Sequence, residues 1–332
     1  MPNWNDVLNE ITVYIKDHKL NPQQSGEAID AVRKKYLNLL YENTGRNVIA
    51  YYSGFLSKPE VSGLDINDED KNGFMMAVHH MNRSKGLDLL LHTPGGGIGA
   101  TQSIVNYLRK MFGNNMRAVV PQIAMSAGAM IACSCRAILM GSHSNIGPID
   151  PQLRDVPCYG VIEEFRRAYR EVKKEPTKAI LWQTIIGQYR PTFLSQCENS
   201  IRWSNAFVKE QLETVMFAGR RDAKEKANQV VKLLTNYRGN KSHNRHIHSE
   251  ECEAMGLNIE KLEKTGNETL QDLVLTVHHC YMHTLMNSGA YKIVENHMGT
   301  AFIKQIAIQQ FVMPPLVMSQ PPQPRISPQQ TI

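Results

Sequence analysis

Three glycine-containing turns in this sequence carry residues suited to acyl transfer. They are Thr93-Pro94-Gly95-Gly96-Gly97, Ala124-Met125-Ser126-Ala127-Gly128 and Asn145-Ile146-Gly147-Pro148-Ile149-Asp150-Pro151. Each follows or interrupts an apolar run that reads as a buried strand. An acyl-transfer site needs a nucleophile, a base and donors for the oxyanion. Ser126 is the candidate nucleophile, and the Ala127 N–H is a candidate donor. Gly95 or Gly96, at the end of the adjacent strand, is the candidate second donor. Ligands collect at the carboxyl ends of parallel strands, so the first two turns are expected on one sheet edge. Each motif alone is weak. A serine at a helix start is more often a cap, and Pro-Gly-Gly-Gly turns also bind phosphates. No Gly-Lys-Ser/Thr follows, which excludes a P-loop, and Gly95-Gly96-Gly97-Ile98-Gly99 does not fit the dinucleotide-binding Gly-x-Gly-x-x-Gly.

The elements that must position these turns alternate. Asn47–Tyr52, Leu87–His92, Met116–Val120 and Ala137–Met140 read as strands. The near-continuous leucines of the second imply burial on both faces. Helical spacing appears at Phe74, Val78 and Met81, and again at Ile104, Val105, Leu108, Met111 and Phe112. Ala124–Cys133 has small residues on every face, which predicts a helix packed on all sides. Alternating strand and helix predicts an α/β fold with parallel strands and right-handed crossovers. Two amphipathic helices precede this core, and from Gly160 onward the pattern is mostly helical, through Glu268–Met286 and then Ala290–Gln309. The boundaries expected are a helical arm over 1–45, a catalytic core over 46–265, a C-terminal helical extension over 266–312 and a Pro/Gln-rich tail over 313–332, expected to be disordered.

Bulk properties narrow the class. The net charge of +6 is modest and interleaved, so no nucleic-acid partner is expected. No apolar run is long enough to span a membrane. The polar opening Met1-Pro2-Asn3-Trp4-Asn5-Asp6 is unlike a secretory signal, which makes a cytoplasmic protein the expectation. The six dispersed cysteines are expected as reduced thiols. His279 and His283 stand one helical turn apart, but Cys280 fills the place of the glutamate in His-Glu-x-x-His. The triplet His243, His246 and His248 has no carboxylate or thiol at ligand spacing. Neither a metal nor another cofactor is expected.

Taken together, the block resembles the serine peptidase branch of the Clp protease/crotonase superfamily. More narrowly, it looks like the serine dehydrogenase proteinase family, soluble relatives of signal peptide peptidase A. The matching features are Thr93-Pro94-Gly95-Gly96 after a strand, Ala124-x-Ser126-Ala127-Gly128 about thirty residues later, and Ile146-Gly147-Pro148-Ile149-Asp150-Pro151-Gln152 beyond the next strand. Ser242-His243-x-Arg245-x-Ile247 with Glu251-Cys252-x-Ala254-Met255-Gly256-Leu257 looks like the family's closing turn and helix, and Lys292-Ile293-Val294-Glu295-Asn296 resembles its C-terminal helix. The resemblance spans roughly residues 46–300. It implies a Clp protease/crotonase-like fold, Ser126 as nucleophile, and donors at Gly95 and Ala127. It also implies a peptide or protein substrate and a homo-oligomer.

The base is less plain. Where Clp-type proteases carry the catalytic histidine, the alignment puts Ile149, and His143 sits too early. Signal peptide peptidase relatives use a lysine about fifty residues downstream instead. Lys173, Lys174 and Lys178 are candidates, and Lys178 stands 52 residues beyond Ser126, ahead of the apolar Ala179-Ile180-Leu181-Trp182. A lysine base needs desolvation, which favours Lys178 over the two in a charged run. Asp150 is expected to orient the base, line the groove or form a structural ion pair. His243 falls where the Clp proteases place the third triad member, and is expected as an orienter or a loop cap. The expected function is an ATP-independent serine peptidase working through a Ser126–Lys178 dyad. The alternatives are a catalytically silent scaffold of the same fold that binds peptides, and acyl-CoA chemistry.

Overall fold

The computed structural model describes residues 4–267 and 269–306. The tail over 313–332 lies outside the described residues. Two helices open the chain, α1 (Trp4–Asp17) and α2 (Ser25–Thr44). The core then runs β1 (Asn47–Ser53), α3 (Asp70–Val78), β2 (Leu87–His92), α4 (Ile98–Phe112), β3 (Met116–Val120), β4 (Ile123–Ala124), α5 (Ala127–Cys133), β5 (Ala137–Met140) and β6 (Asn145–Ile146). A small hairpin, β7 (Gln152–Leu153) and β8 (Val156–Pro157), leads into a helical stretch. That stretch is α6 (Cys158–Lys174), α7 (Ala179–Ile186), α8 (Phe193–Gln211), α9 (Ala223–Leu234) and α10 (Tyr237–Asn240). The chain closes with β9 (Ile247–His248), α11 (Ser249–Met255), β10 (Ile259–Lys261), α12 (Leu270–Asn287), β11 (Ala290–Asn296) and β12 (Ala301–Gln305).

The main sheet has the order β10-β5-β3-β2-β1-β11-β12. Its first five strands are parallel, and β11 and β12 join antiparallel at the β1 side. Alternate residues of the central strands face opposite layers. Ile49, Tyr51, Leu89, Leu91, Ala118, Val120, Ile138 and Met140 pack with α3, α4, α5, α8 and α9. Val48, Ala50, Tyr52, Leu90, Val119 and Leu139 pack with α2 and α12. Burial on both faces explains the leucine run of β2, as parallel strands under helical crossovers require. All seven residues of α5 are buried, in line with its small residues.

Two expectations need correcting. Ala290–Asn296 is a strand, not a helix, and with β12 it forms a hairpin inside the main sheet. Its charged residues hid it. Glu295 is buried against Arg33 of α2 at 2.6 Å, so a charge stands where a strand would show an apolar residue. That pair also joins the N-terminal arm to the core, with Tyr281 donating to the same Glu295 carboxylate at 2.7 Å. The family match at Lys292–Asn296 thus corresponds to β11 rather than to a C-terminal helix.

His279 and His283 serve packing. The His283 ring lies 3.9 Å from that of Trp4 in α1, and its Nε2 meets the Trp4 carbonyl at 3.1 Å. Among the described residues no group of three His, Cys, Asp or Glu is arranged to hold a metal. No described helix is long and apolar enough to cross a membrane.

Candidate active site

A second, three-stranded sheet builds the site, with the order β4-β6-β9. β4 and β6 are parallel, and β9 is antiparallel to β6 with Ile146 facing Ile247. Ser126 leaves β4 two residues on. Asp150 lies four residues beyond Ile146, and His243 four before Ile247. Because β9 runs the other way, all three side chains belong to one end of this sheet.

Ser126 sits in a backbone conformation that L-residues avoid, with φ 47° and ψ −112°. Glycines crowd round it. A Cβ on Gly95 would stand 2.7 Å from the Ser126 Cβ, one on Gly147 would stand 2.9 Å from the Ser126 nitrogen, and one on Gly128 would meet Thr93 at 2.5 Å. The strained serine is therefore packed at glycine distance against Gly95 and Gly147, while Gly128 lets α5 lie against Thr93. The sequence marks Gly147 only as part of the third turn; the contact with Ser126 shows why a side chain has no room there.

The glycine loop is fixed from its other side by Ile66. The Ile66 N–H donates to the Gly95 carbonyl at 2.7 Å, and the Gly97 N–H donates to the Ile66 carbonyl at 2.9 Å. The Gly95 N–H donates to Thr93 Oγ1 at 3.1 Å. Of the three glycine amides, two are thus engaged, and Gly96 has no partner among the described residues. A trans peptide directs its N–H opposite to its C=O. With the Gly95 carbonyl aimed at Ile66, the Gly96 N–H points away from it. A Cβ on Gly96 would strike the Ile66 backbone at 2.2 Å, while one on Gly95 would strike Ser126, so the loop lies between the two. The Gly96 N–H therefore faces the serine side. Ala127, at the head of α5, likewise has no acceptor for its N–H among the described residues, whereas Gly128 donates to Met125. The free pair is Gly96 and Ala127, and Gly95 supplies the turn.

Asp150 is buried, and its Oδ1 lies 3.0 Å from His243 Nδ1. Its backbone is held on either side. The Ile149 N–H donates to Leu234, the Ile149 carbonyl accepts from Ser204 of α8, and the Pro151 carbonyl accepts from Cys158. Against an ionised carboxylate, which only accepts, Nδ1 is the nitrogen that donates. Residues 93 places apart in sequence meet here.

Lys178 has different surroundings. It ends a short turn, Pro176–Lys178, between α6 and α7. Its side chain is 40% exposed, with Nζ 3.2 Å from Glu175 and 4.0 Å from Glu171. Of the apolar run expected to bury it, Trp182 is buried but Ile180 and Leu181, 79% and 59% exposed, face solvent. Lys173 and Lys174 are exposed at the end of α6. The desolvation that a lysine base needs is not provided at any of these positions.

His92, the residue before Thr93, is wholly buried among Tyr52, Phe55 and His278. Neither ring nitrogen has a partner among the described residues. Burial pushes its pKa down to about 3. The unfolded chain protonates this ring near its ordinary value while the folded chain resists, so its contribution to stability is full above that value and is lost as pH falls toward 3. Stability should drop by about 3 kcal/mol from this ring between pH 7.5 and 4.5. Urea midpoints measured across that range should fall less steeply for His92→Phe than for the natural chain. Equal slopes would overturn the assignment.

A serine on a strained turn, two unpaired backbone amides in the neighbouring turns and a histidine–carboxylate pair at the same sheet end stand together on an α/β fold. The chain belongs to the ClpP-like SDH-type serine proteinase family, whose profile matches residues 14–275. It is 29% identical over 259 residues to an uncharacterized protein of Methanocaldococcus jannaschii, covering 76% of this chain and 82% of that one. A second uncharacterized protein of the same organism is 27% identical over 170 residues, covering 51% of each chain.

Proposed function

We propose that this chain hydrolyses peptide bonds through an acyl-enzyme on Ser126, with His243 as the base and Asp150 as its orienting partner. The observation that carries the reading is the Asp150–His243 pair at the sheet end where Ser126 emerges. His243 Nε2 takes the Ser126 proton as the hydroxyl attacks the scissile carbonyl. The carbonyl electrons move onto the oxygen, which the Gly96 and Ala127 N–H groups stabilise. His243 then passes the proton to the leaving amine, the C–N bond breaks, and water releases the acyl group by the same steps. Ser126 and His243 make no direct hydrogen bond in this state, and such bonds are often long without substrate.

This places His243, rather than Lys178, in the base role, and leaves Asp150 as the orienter. Ile149 stands where Clp-type proteases carry their histidine. In the proposed arrangement the carboxylate is the next residue, and the imidazole arrives from beyond α10. A peptide or protein substrate fits the family, and a homo-oligomer is the accompanying proposal. The test is a fluorophosphonate probe followed by peptide mapping. It should modify Ser126 alone, and the modified protein should cleave no peptide. Labelling at another serine, or full cleavage after complete labelling of Ser126, would remove the reading.

A further inference from the structure

A buried charge network lies behind the glycine loop. Lys292 of β11 is 1% exposed, and Asp70 at the start of α3 is wholly buried. Lys292 Nζ lies 3.0 Å from both Asp70 oxygens and donates to the Asp65 carbonyl at 2.6 Å. Asp70 Oδ2 also accepts from the Asn67 N–H at 3.0 Å and from the Tyr51 hydroxyl at 2.8 Å. The Ser53 hydroxyl donates to the Leu64 carbonyl at 2.7 Å. The irregular segment 64–67 is therefore tied at Leu64, Asp65 and Asn67 to β1, β11 and α3. The residue in its middle, Ile66, clamps Gly95 and Gly97.

We propose that Lys292 and Asp70 are positioning residues for the oxyanion donor, acting through Ile66. The inference rests on the peptidase reading of Ser126. A buried ion pair seldom stabilises a fold more than apolar residues of similar volume would. What apolar residues could not supply are the hydrogen bonds to the Asp65 carbonyl and the Asn67 N–H. Those bonds set where the Ile66 peptide groups sit. Those groups in turn fix the Gly95–Gly96 peptide and so the direction of the Gly96 N–H. An oxyanion donor works by being in place before charge develops, so a loosened clamp affects the tetrahedral state more than substrate binding. The side chains touch neither substrate nor reacting atoms.

The experiment uses the full chain and two variants, Lys292→Met and Lys292→Met with Asp70→Asn. The second leaves no unpaired buried charge if the first folds poorly. Amide exchange, read residue by residue, should rise at least tenfold at Ile66 and Gly97, with the amides of β2 unchanged. A peptide boronic acid, which forms a tetrahedral adduct on the serine, should bind at least tenfold more weakly, while KM for the matching peptide changes less than threefold. A general folding defect would weaken both together. Unchanged exchange at Ile66 and Gly97, or equal loss of boronate and peptide binding, would overturn the proposal. If the natural chain forms no adduct on Ser126, the peptidase reading falls and takes the catalytic meaning of the clamp with it. The exchange result would still separate that failure from a failure of the clamp.

Discussion

Ser126→Gly should abolish turnover and make the protein more stable. Loss of the hydroxyl removes the acyl-enzyme, which in serine hydrolases lowers kcat by about 10⁴–10⁶-fold. The stability change has a separate cause. Ser126 is held at φ 47° and ψ −112°, and a side chain in so sparsely populated a region costs about 1–3 kcal/mol. Glycine removes that strain but costs about 0.5–1 kcal/mol in chain entropy. The net expectation is about 1 kcal/mol of stabilisation. Ser126→Ala keeps the Cβ, and so should lose turnover with little change in stability. Steady-state kinetics and urea denaturation on the three proteins check both halves. A glycine variant that is less stable than the natural chain would refute the strain assignment, and an alanine variant that turns over normally would refute Ser126 as nucleophile.

The second large effect separates the two bases. His243→Ala and Asp150→Asn should each reduce kcat by about 10³–10⁴-fold, because the first removes the proton acceptor and the second releases its tautomer and orientation. Lys178→Met should change kcat less than about threefold. Its ammonium is half in solvent and paired with Glu175, and exposed pairs contribute little. The reverse pattern, a silent Lys178→Met and an active His243→Ala, would restore the lysine dyad. The Asp150 variant also reports on burial. Its second oxygen has no partner among the described residues, so the amide should cost the fold little while removing the charge that the imidazolium needs.

The fold was largely legible because its signals are local. Leu87–His92 and Met116–Val120 announce buried strands by composition, and the all-small segment after Ser126 announces a helix with no solvent face. Ala290–Asn296 was misread because Lys292 and Glu295 are buried with partners far away in sequence, Asp70 and Arg33. A pattern of hydrophobicity cannot show a charge neutralised from elsewhere. Lys178 shows the converse error. An apolar run is ordinarily taken as buried, yet Ile180 and Leu181 face solvent.

By itself the sequence determined the turns. Glycine, serine and proline types at fixed spacing after apolar runs specify where the backbone bends and which residue can be the nucleophile, because those are short-range steric facts. Only the tertiary structure decided which amides are unpaired and which candidate base meets a buried carboxylate. Gly95 and Gly96 are chemically identical in the chain. They differ because Ile66, some thirty residues away, engages the carbonyl of one and so directs the amide of the other. His243 and Lys178 are both plausible proton acceptors on paper. They differ because an antiparallel pairing of β9 with β6 returns the first to Asp150, while the second ends a turn exposed to water.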